Sequence, residues 1–187
     1  GFIPFSTLAF RAVEFGMMLD AILLAMAMAD KFRIVQEEKL LAETLSKLDP
    51  LTEINNRRAF YDLVNPVWDV ALRKGRPMSV VLLDVDKFKE VNDRYGHTQG
   101  DDILVLIANV LSKELRPGDF LARWGGEEFV IFLPETPCAT AVVIAQRLRE
   151  KVATMALPDS LQSLVLTVSL GVAENDQGNK SLDELIS

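Results

Sequence analysis

Cysteine is almost missing: Cys138 is the only one among 187 residues. A single thiol cannot build an intrachain disulfide framework, which fits a reducing compartment. A basic surplus is missing too. Twenty Lys and Arg against 27 Asp and Glu leave a net charge of −7. Nucleic-acid surfaces are normally basic, so nucleic acid is not expected as a partner. A small polyanion can still bind where a cation offsets its charge. Histidine occurs once, as His97 directly after a glycine, where it fits a loop-fixing role better than acid–base work. The sequence has no signal-peptide pattern, internal repeat or low-complexity tract. It opens without Met and stops inside a helical pattern, so it is expected to be a fragment at both ends.

What is present divides unevenly along the chain. Residues 12–29 are nearly all apolar, broken by Glu14, Gly16 and Asp20. With the residues before it, the stretch reaches the roughly 20 residues that a bilayer span requires. Lys31 and Arg33 follow, as on a cytoplasmic flank. Residues 1–30 are therefore expected to hold a membrane helix. Glu14 and Asp20 would face neighbouring helices rather than lipid. Residues 31–48 continue as a helix in which Ile34, Leu41 and Leu48 are seven apart, with Leu45 between. That spacing predicts a short signalling helix with a coiled-coil seam.

Residues 49–187 form the third part. The β-branched run Met-Ser-Val-Val-Leu-Leu-Asp-Val at 78–85 reads as a buried strand. It ends in Asp84-Val85-Asp86, and a loop is expected to follow. Further on, two strand-like runs flank Arg123-Trp124-Gly125-Gly126-Glu127-Glu128-Phe129. Gly-Gly between such runs predicts a tight hairpin, because glycine takes positive φ without a Cβ clash. Two carboxylates follow the turn, and Trp124 is expected to pack rather than to touch a ligand. Acids from a strand end and from a hairpin tip make a hard oxygen site, and Mg²⁺ suits one that leaves room for water and phosphates. A calcium loop does not fit, since the sixth position from Asp84 is Lys89 and the twelfth is Tyr95.

These two stretches together, Asp84-Val85-Asp86-Lys87-Phe88-Lys89 through Asn92-Asp93 to Gly96-His97 and Gly100-Asp101, then Arg123 to Phe129, resemble the GGDEF-domain diguanylate cyclase family. The resemblance covers roughly residues 49–187. It implies an α+β fold with helices packed over a mainly antiparallel central sheet, palm-like and similar to the nucleotide cyclases. It implies condensation of two GTP into cyclic di-GMP, with release of pyrophosphate, across a homodimer. By position, Asp84, the Val85 carbonyl and Glu127 would hold Mg²⁺ or Mn²⁺. Glu127 and Glu128 would be the catalytic acids. Asn92 and Asp101 would read guanine, Phe88 and Lys89 would lie at the phosphates, and Gly125 and Gly126 would let backbone approach the nucleotide. Arg116 and Asp119 match an Arg-x-x-Asp site at which cyclic di-GMP inhibits; Pro117-Gly118 is also ordinary turn chemistry. Asp86 reads equally as a solvated or ion-paired loop residue.

The N-terminal stretch resembles the last transmembrane helix of a seven-helix sensor region. That implies a bacterial inner-membrane protein with its catalytic domain in the cytoplasm. Two departures stand out. Asp49-Pro50-Leu51-Thr52 matches the family's leading Asp-x-Leu-Thr, but Glu53 replaces the usual glycine. The chain also ends before the family's Lys and Arg triphosphate contacts. The alternative function is a non-catalytic module that binds GTP or cyclic di-GMP.

The remaining elements follow from spacing. Phe60, Leu63, Val64, Val67, Trp68, Ala71 and Leu72 predict the buried face of a helix, with Pro66 off the stripe. Thr98 to Asp101 read as a capping box opening a helix that buries residues 103–111. Thr136-Pro137 starts another, burying Ala141, Val142, Ile144, Ala145, Leu148 and Val152. Residues 164–172 predict a strand, and Ser181 to Glu184 cap a last helix.

Overall fold

An unbroken apolar, β-branched run suits a strand covered on both faces. The computed structural model, which describes residues 5–45, 47–161, 164–175 and 181–186, places that run as β2 (Met78–Val85). Around it stand β1 (Asn55–Asn56), β3 (Phe120–Gly125), β4 (Glu128–Pro134) and β5 (Val168–Glu174). The sheet order is β1-β3-β4-β2-β5. Every pairing is antiparallel except that of the two-residue β1 with β3. The α+β architecture predicted from the sequence is the observed one.

Alternation along the strands feeds two cores. Val81, Leu83, Val85, Phe129, Ile131 and Leu133 point to one face. There they meet α4 (His97–Glu114) through Ile103, Ile107 and Leu111, and α5 (Cys138–Ala153) through Ala141, Leu148 and Val152. Met78, Val80, Val130 and Phe132 point to the other face, under α2 (Arg57–Arg73) and α6 (Leu182–Ile186). Phe129 and Phe132 are fully buried, so truncating either to Ala would cost about 3–5 kcal/mol.

Several boundaries differ from the sequence reading. Residues 88–95 are a helix, α3 (Phe88–Tyr95), rather than a loop. Phe88 and Val91 are buried on one side, with Tyr95 packed beside them, a spacing that carried the signal. The capping box at Thr98 does not form. Gly96, at φ 88°, turns the chain between the helices, and α4 starts at His97 with no side-chain cap. Thr98 thus lies inside the first turn, where Gly100 N–H already donates to Gly96 O at 3.2 Å. Leu63 and Val142 are exposed, since each lies off the stripe its neighbours define. Residues 164–167 lie outside the strand, because β5 begins opposite Val85, where β2 ends. Pro66 is exposed inside α2 and does not end it. Pro137 caps α5 from just outside it. The Ser181 capping box is present: Ser181 N–H donates to Glu184 Oε2 at 2.7 Å, and Glu184 N–H donates to Ser181 Oγ at 3.3 Å.

Residues 1–46 and 47–187 are separate compact units. In the first, α1 (Phe5–Leu45) is one continuous helix of 41 residues. Its segment 10–36 contains an 18-residue window of mean hydropathy 1.8 and, by length and composition, can cross a membrane. Leu48, assigned above to the seam, lies beyond α1 and is bridged to Asn55. The side chains of Leu41 and Leu45 lie outside the described residues.

Residues 47–56 fold into a tight turn closed by Asp49 N–H to Ile54 O at 2.8 Å and Glu53 N–H to Asp49 O at 2.9 Å. The turn places Glu53 at φ 58°, which explains why glycine suits this position. A left-handed residue with a Cβ costs roughly 1 kcal/mol, and glycine's extra unfolded-state freedom takes back part of it. Glu53→Gly is therefore expected to raise the unfolding free energy by about 0.5–1 kcal/mol in urea titration. An unchanged or lower midpoint would refute this account of the turn.

Candidate active site

Asp84 lies one residue from the end of β2, and its register fixes what surrounds it. It sits directly opposite Glu128 on β4 and Ser169 on β5. Side chains directly opposite on neighbouring antiparallel strands lie about 4.5–5.5 Å apart at Cβ. The hairpin closes with Gly125 paired to Glu128 and an irregularity between Arg123 and Gly125. The turn is therefore Gly126-Glu127, with Gly126 at φ 52°. Glu127 stands in the turn itself, not after it, and Glu128 begins β4.

The surrounding acids act on Asp84. Partial burial pushes the Asp84 carboxyl above the usual carboxylate range, and the charges of Glu127, Glu128 and Asp86 push it further. A divalent cation would relieve that repulsion, so the donor chemistry fits a hard metal ion. Among the described residues no group of three or more His, Cys, Asp or Glu side chains closes on a single point. Mg²⁺ does not require one, since it takes one or two carboxylates and completes its octahedron with water and phosphate oxygens. The Val85 side chain is a buried hydrocarbon with no donor atom, so only its carbonyl could serve as a ligand.

Among the described residues Asp86 is held by hydroxyl donors rather than by an ion pair. Ser169 Oγ and Thr167 Oγ1 each donate to its carboxylate at 2.6 Å, which holds it below the usual range. With Thr167 O accepting from Asp86 N–H at 3.1 Å, these bonds tie the turn after β2 to the start of β5.

The hairpin tip is held from outside by a pair whose role the sequence reading missed. Arg123 Nε and Nη2 donate to Gly126 O at 3.0 and 2.8 Å, and Nη1 donates to Asp49 Oδ1 at 3.0 Å. Asp49 also accepts from Thr52 N–H at 2.9 Å and Thr52 Oγ1 at 2.7 Å. Burial alone would raise Asp49, but the bonds from Thr52 and Arg123 outweigh it and hold the carboxyl low. The Asp-x-Leu-Thr match was the available signal for this brace. Trp124 packs, as expected. Its ring meets Phe60 at 5.8 Å and Tyr61 at 5.5 Å between centroids, and the Arg57 guanidinium lies 4.2 Å above it.

The expected nucleotide contacts are distributed over α3 and α4. Phe88 is buried in the core, so its backbone, not its ring, is available. Lys89, His97 and Asp101 are exposed, and Asn92 is half-buried. At the Arg-x-x-Asp position, Arg116 Nε donates to Asp119 Oδ1 at 3.0 Å, while Nη2 donates to Pro134 O and Thr136 Oγ1, each at 2.9 Å. The Asp119 side chain is buried beneath an Arg116 that remains more than half exposed. Both border a cleft of about 400 Å³ that also takes in Leu48, Ile54 and Leu121. A larger cleft of about 710 Å³, between α5 and β5, includes Asp86, Thr167 and Ser169. Neither cleft is lined by Asp84, Glu127 or Asn92.

A mixed sheet with acids at one strand end and an acid-bearing Gly-Gly hairpin beside it defines a recognisable class. The family described as "Diguanylate cyclase, GGDEF domain" matches residues 46–187, and the chain belongs to that family. It is 41% identical over 154 residues to the diguanylate cyclase DgcM of Escherichia coli K12, which covers 81% of this chain and 37% of that protein. It thus spans little more than a third of this curated relative. Among solved structures, it superposes on Pseudomonas aeruginosa diguanylate cyclase SiaD, determined with its activator SiaC, with a TM-score of 0.70 and 31% identity. That match covers 97% of this chain and 70% of SiaD. It also superposes on the coiled coil and GGDEF domain of Caulobacter crescentus DgcB, determined with c-di-GMP, with a TM-score of 0.70 and 28% identity, covering 90% of this chain and 88% of that one.

Two outcomes follow from the geometry. Because the folded state raises the Asp84 carboxyl, it binds the proton more tightly than the unfolded state, and its contribution turns unfavourable as pH rises through that raised value. Without metal, Asp84→Asn is expected to gain about 0.5 kcal/mol at pH 7, the scale of a like-charge cross-strand pair, and nothing below the carboxylate range. Asp49 has the opposite sign: its lowered carboxyl stabilises the fold above the ordinary range, and that contribution is lost as pH falls through the lowered value. Arg123→Ala is expected to cost about 2 kcal/mol in urea unfolding at neutral pH, the scale of a charged hydrogen bond left unmade.

Proposed function

We propose that this chain carries a diguanylate cyclase, which joins two GTP into cyclic di-GMP and releases two pyrophosphates across a homodimer. The observation that carries the reading is the junction of Asp84 with the acids of the hairpin, in a fold whose relatives include named diguanylate cyclases.

Each chain would supply one half-site. Asp84, Glu127 and the Val85 carbonyl would hold Mg²⁺ or Mn²⁺. The metal, when bound, offsets phosphate charge and lowers the pKa of the attacking ribose 3′-hydroxyl. Glu128, across from Asp84, would help hold the metal or take that hydroxyl's proton. Asn92 and Asp101 would read the guanine through an amide and a carboxylate, and Lys89 would pair with phosphate. The bare backbone at Gly125 and Gly126 would admit the nucleotide closely. Residues 10–36 would anchor the protein in the bacterial inner membrane, with the catalytic domain in the cytoplasm. Arg116 and Asp119 would bind cyclic di-GMP as an inhibitor, the guanidinium suiting phosphate and the guanine edge.

Incubating the full protein with GTP and Mg²⁺ is expected to yield cyclic di-GMP. Glu127→Gln should lower that rate by at least about 100-fold, the scale of losing a charge-stabilising group. GTP binding without product would favour a non-catalytic module instead. Arg116→Ala is expected to weaken cyclic di-GMP inhibition by about tenfold or more, as for one lost charged hydrogen bond. An unchanged inhibition constant would remove that site from the proposal.

A further inference from the structure

Asn92 and Gly100 belong to consecutive helices folded back on each other at Gly96. Gly96 N–H donates to Asn92 O at 2.9 Å, and Gly96 O accepts from Gly100 N–H at 3.2 Å. The Asn92 side-chain oxygen is buried with no hydrogen-bond partner among the described residues, while its amide nitrogen is not buried in this way. A Cβ on Gly100 would stand 1.9 Å from that oxygen, 3.0 Å from Asn92 Cγ and 3.2 Å from Phe88 Cζ. Gly100 is buried in α4 and does not have positive φ, so its backbone makes no demand for glycine. Glycine inside a helix is less stable than alanine. Two unfavourable choices therefore meet at one contact, an unpartnered carbonyl and a helical glycine, as is common where function outweighs stability.

We infer that Gly100 is a positioning residue for the nucleobase, acting through Asn92. Its missing side chain seats the Asn92 carbonyl oxygen against α4. The NH₂ group is then the polar face that Asn92 offers to a ligand, and it donates. Guanine presents an acceptor, O6, where adenine presents an amino donor, so a fixed NH₂ selects the one over the other. The inference rests on the reading of Asn92 as a guanine contact, and it adds the residue that sets the amide's orientation.

The test measures binding of the non-cleavable guanosine α,β-methylene triphosphate and its adenosine counterpart to the full chain with Mg²⁺, beside steady-state turnover of GTP. Gly100→Ala should fold with an unchanged or higher Tm, because the atom in its way is the end of a rotatable side chain. It should bind the guanosine analogue at least about tenfold more weakly, about one hydrogen bond's worth. KM for GTP should rise, the guanosine-over-adenosine preference should shrink, and kcat should change little. In the Asn92→Ala background, Gly100→Ala should change affinity by less than about twofold, since the two then act through one contact. Wild-type affinity and preference in Gly100→Ala would overturn the inference, as would a loss that persists without the Asn92 amide. If Gly100→Ala fails to fold, the double variant decides. Folding with the affinity of Asn92→Ala supports the coupling, and failure to fold assigns Gly100 to packing alone and overturns it. A wild-type chain that binds neither analogue would overturn the proposed function itself. One that binds the guanosine analogue regardless of Asn92 would overturn only this inference.

Discussion

Strand β2, paired on both edges, carries an acid one residue from its end, and the register of β4 sets a second acid beside it. That pairing is not favourable by itself. Asp84 and Glu128 face each other with Glu127 and Asp86 nearby, and partial burial together with that repulsion raises Asp84. The strands stay in register because the residues next to the acids are buried, on one face or the other: Leu83 before Asp84 on β2, and Phe129 and Val130 after Glu128 on β4. A one-residue slip would turn every one of these side chains to the opposite face. Apolar packing thus holds in place an electrostatic arrangement that would otherwise separate.

Two braces fix the approaches to this point. On one side, Ser169 and Thr167 tie Asp86 to β5. On the other, Arg123 links the Gly126 carbonyl to Asp49, at the start of the unit that carries the site. The hairpin tip is therefore not a free loop. Its turn carbonyl is linked through the Arg123 guanidinium to Asp49, and Trp124 behind it is wedged among Phe60, Tyr61 and Arg57.

Strands and long helices were legible because burial imposes a period on the sequence. The run at 78–85, the stripe Phe60-Val64-Trp68-Ala71 and the Ser181 capping box each stand where their patterns place them. Helix α3 was hidden because its few apolar positions, Phe88 and Val91 with Tyr95, are interleaved with polar residues that read as a loop. The Thr98 capping box failed for a local reason: Gly96 made the turn first. Of the site, residue identities could be read from the motifs. The direct opposition of Asp84 and Glu128, the hydroxyls on Asp86 and the Arg123 brace could not, because each depends on strand register or on contacts between distant segments. The seating of Asn92 on Gly100 also needed coordinates, since no pattern in a sequence reveals an absent Cβ in the way of an amide.

The position of β2 also governs how the domain comes into being. One of the two neighbours of β2, β5, follows it only about 80 residues later in the chain. Until the ribosome has released β5, one edge of a long apolar strand stays open, a surface that invites pairing with another nascent copy. A product cut short before Val168 would retain Asp84, Asp86, Glu127 and Glu128 together with α3 and α4. Such a product would be open to aggregation and proteolysis, because β2, which carries Asp84, would lack one of its two neighbours.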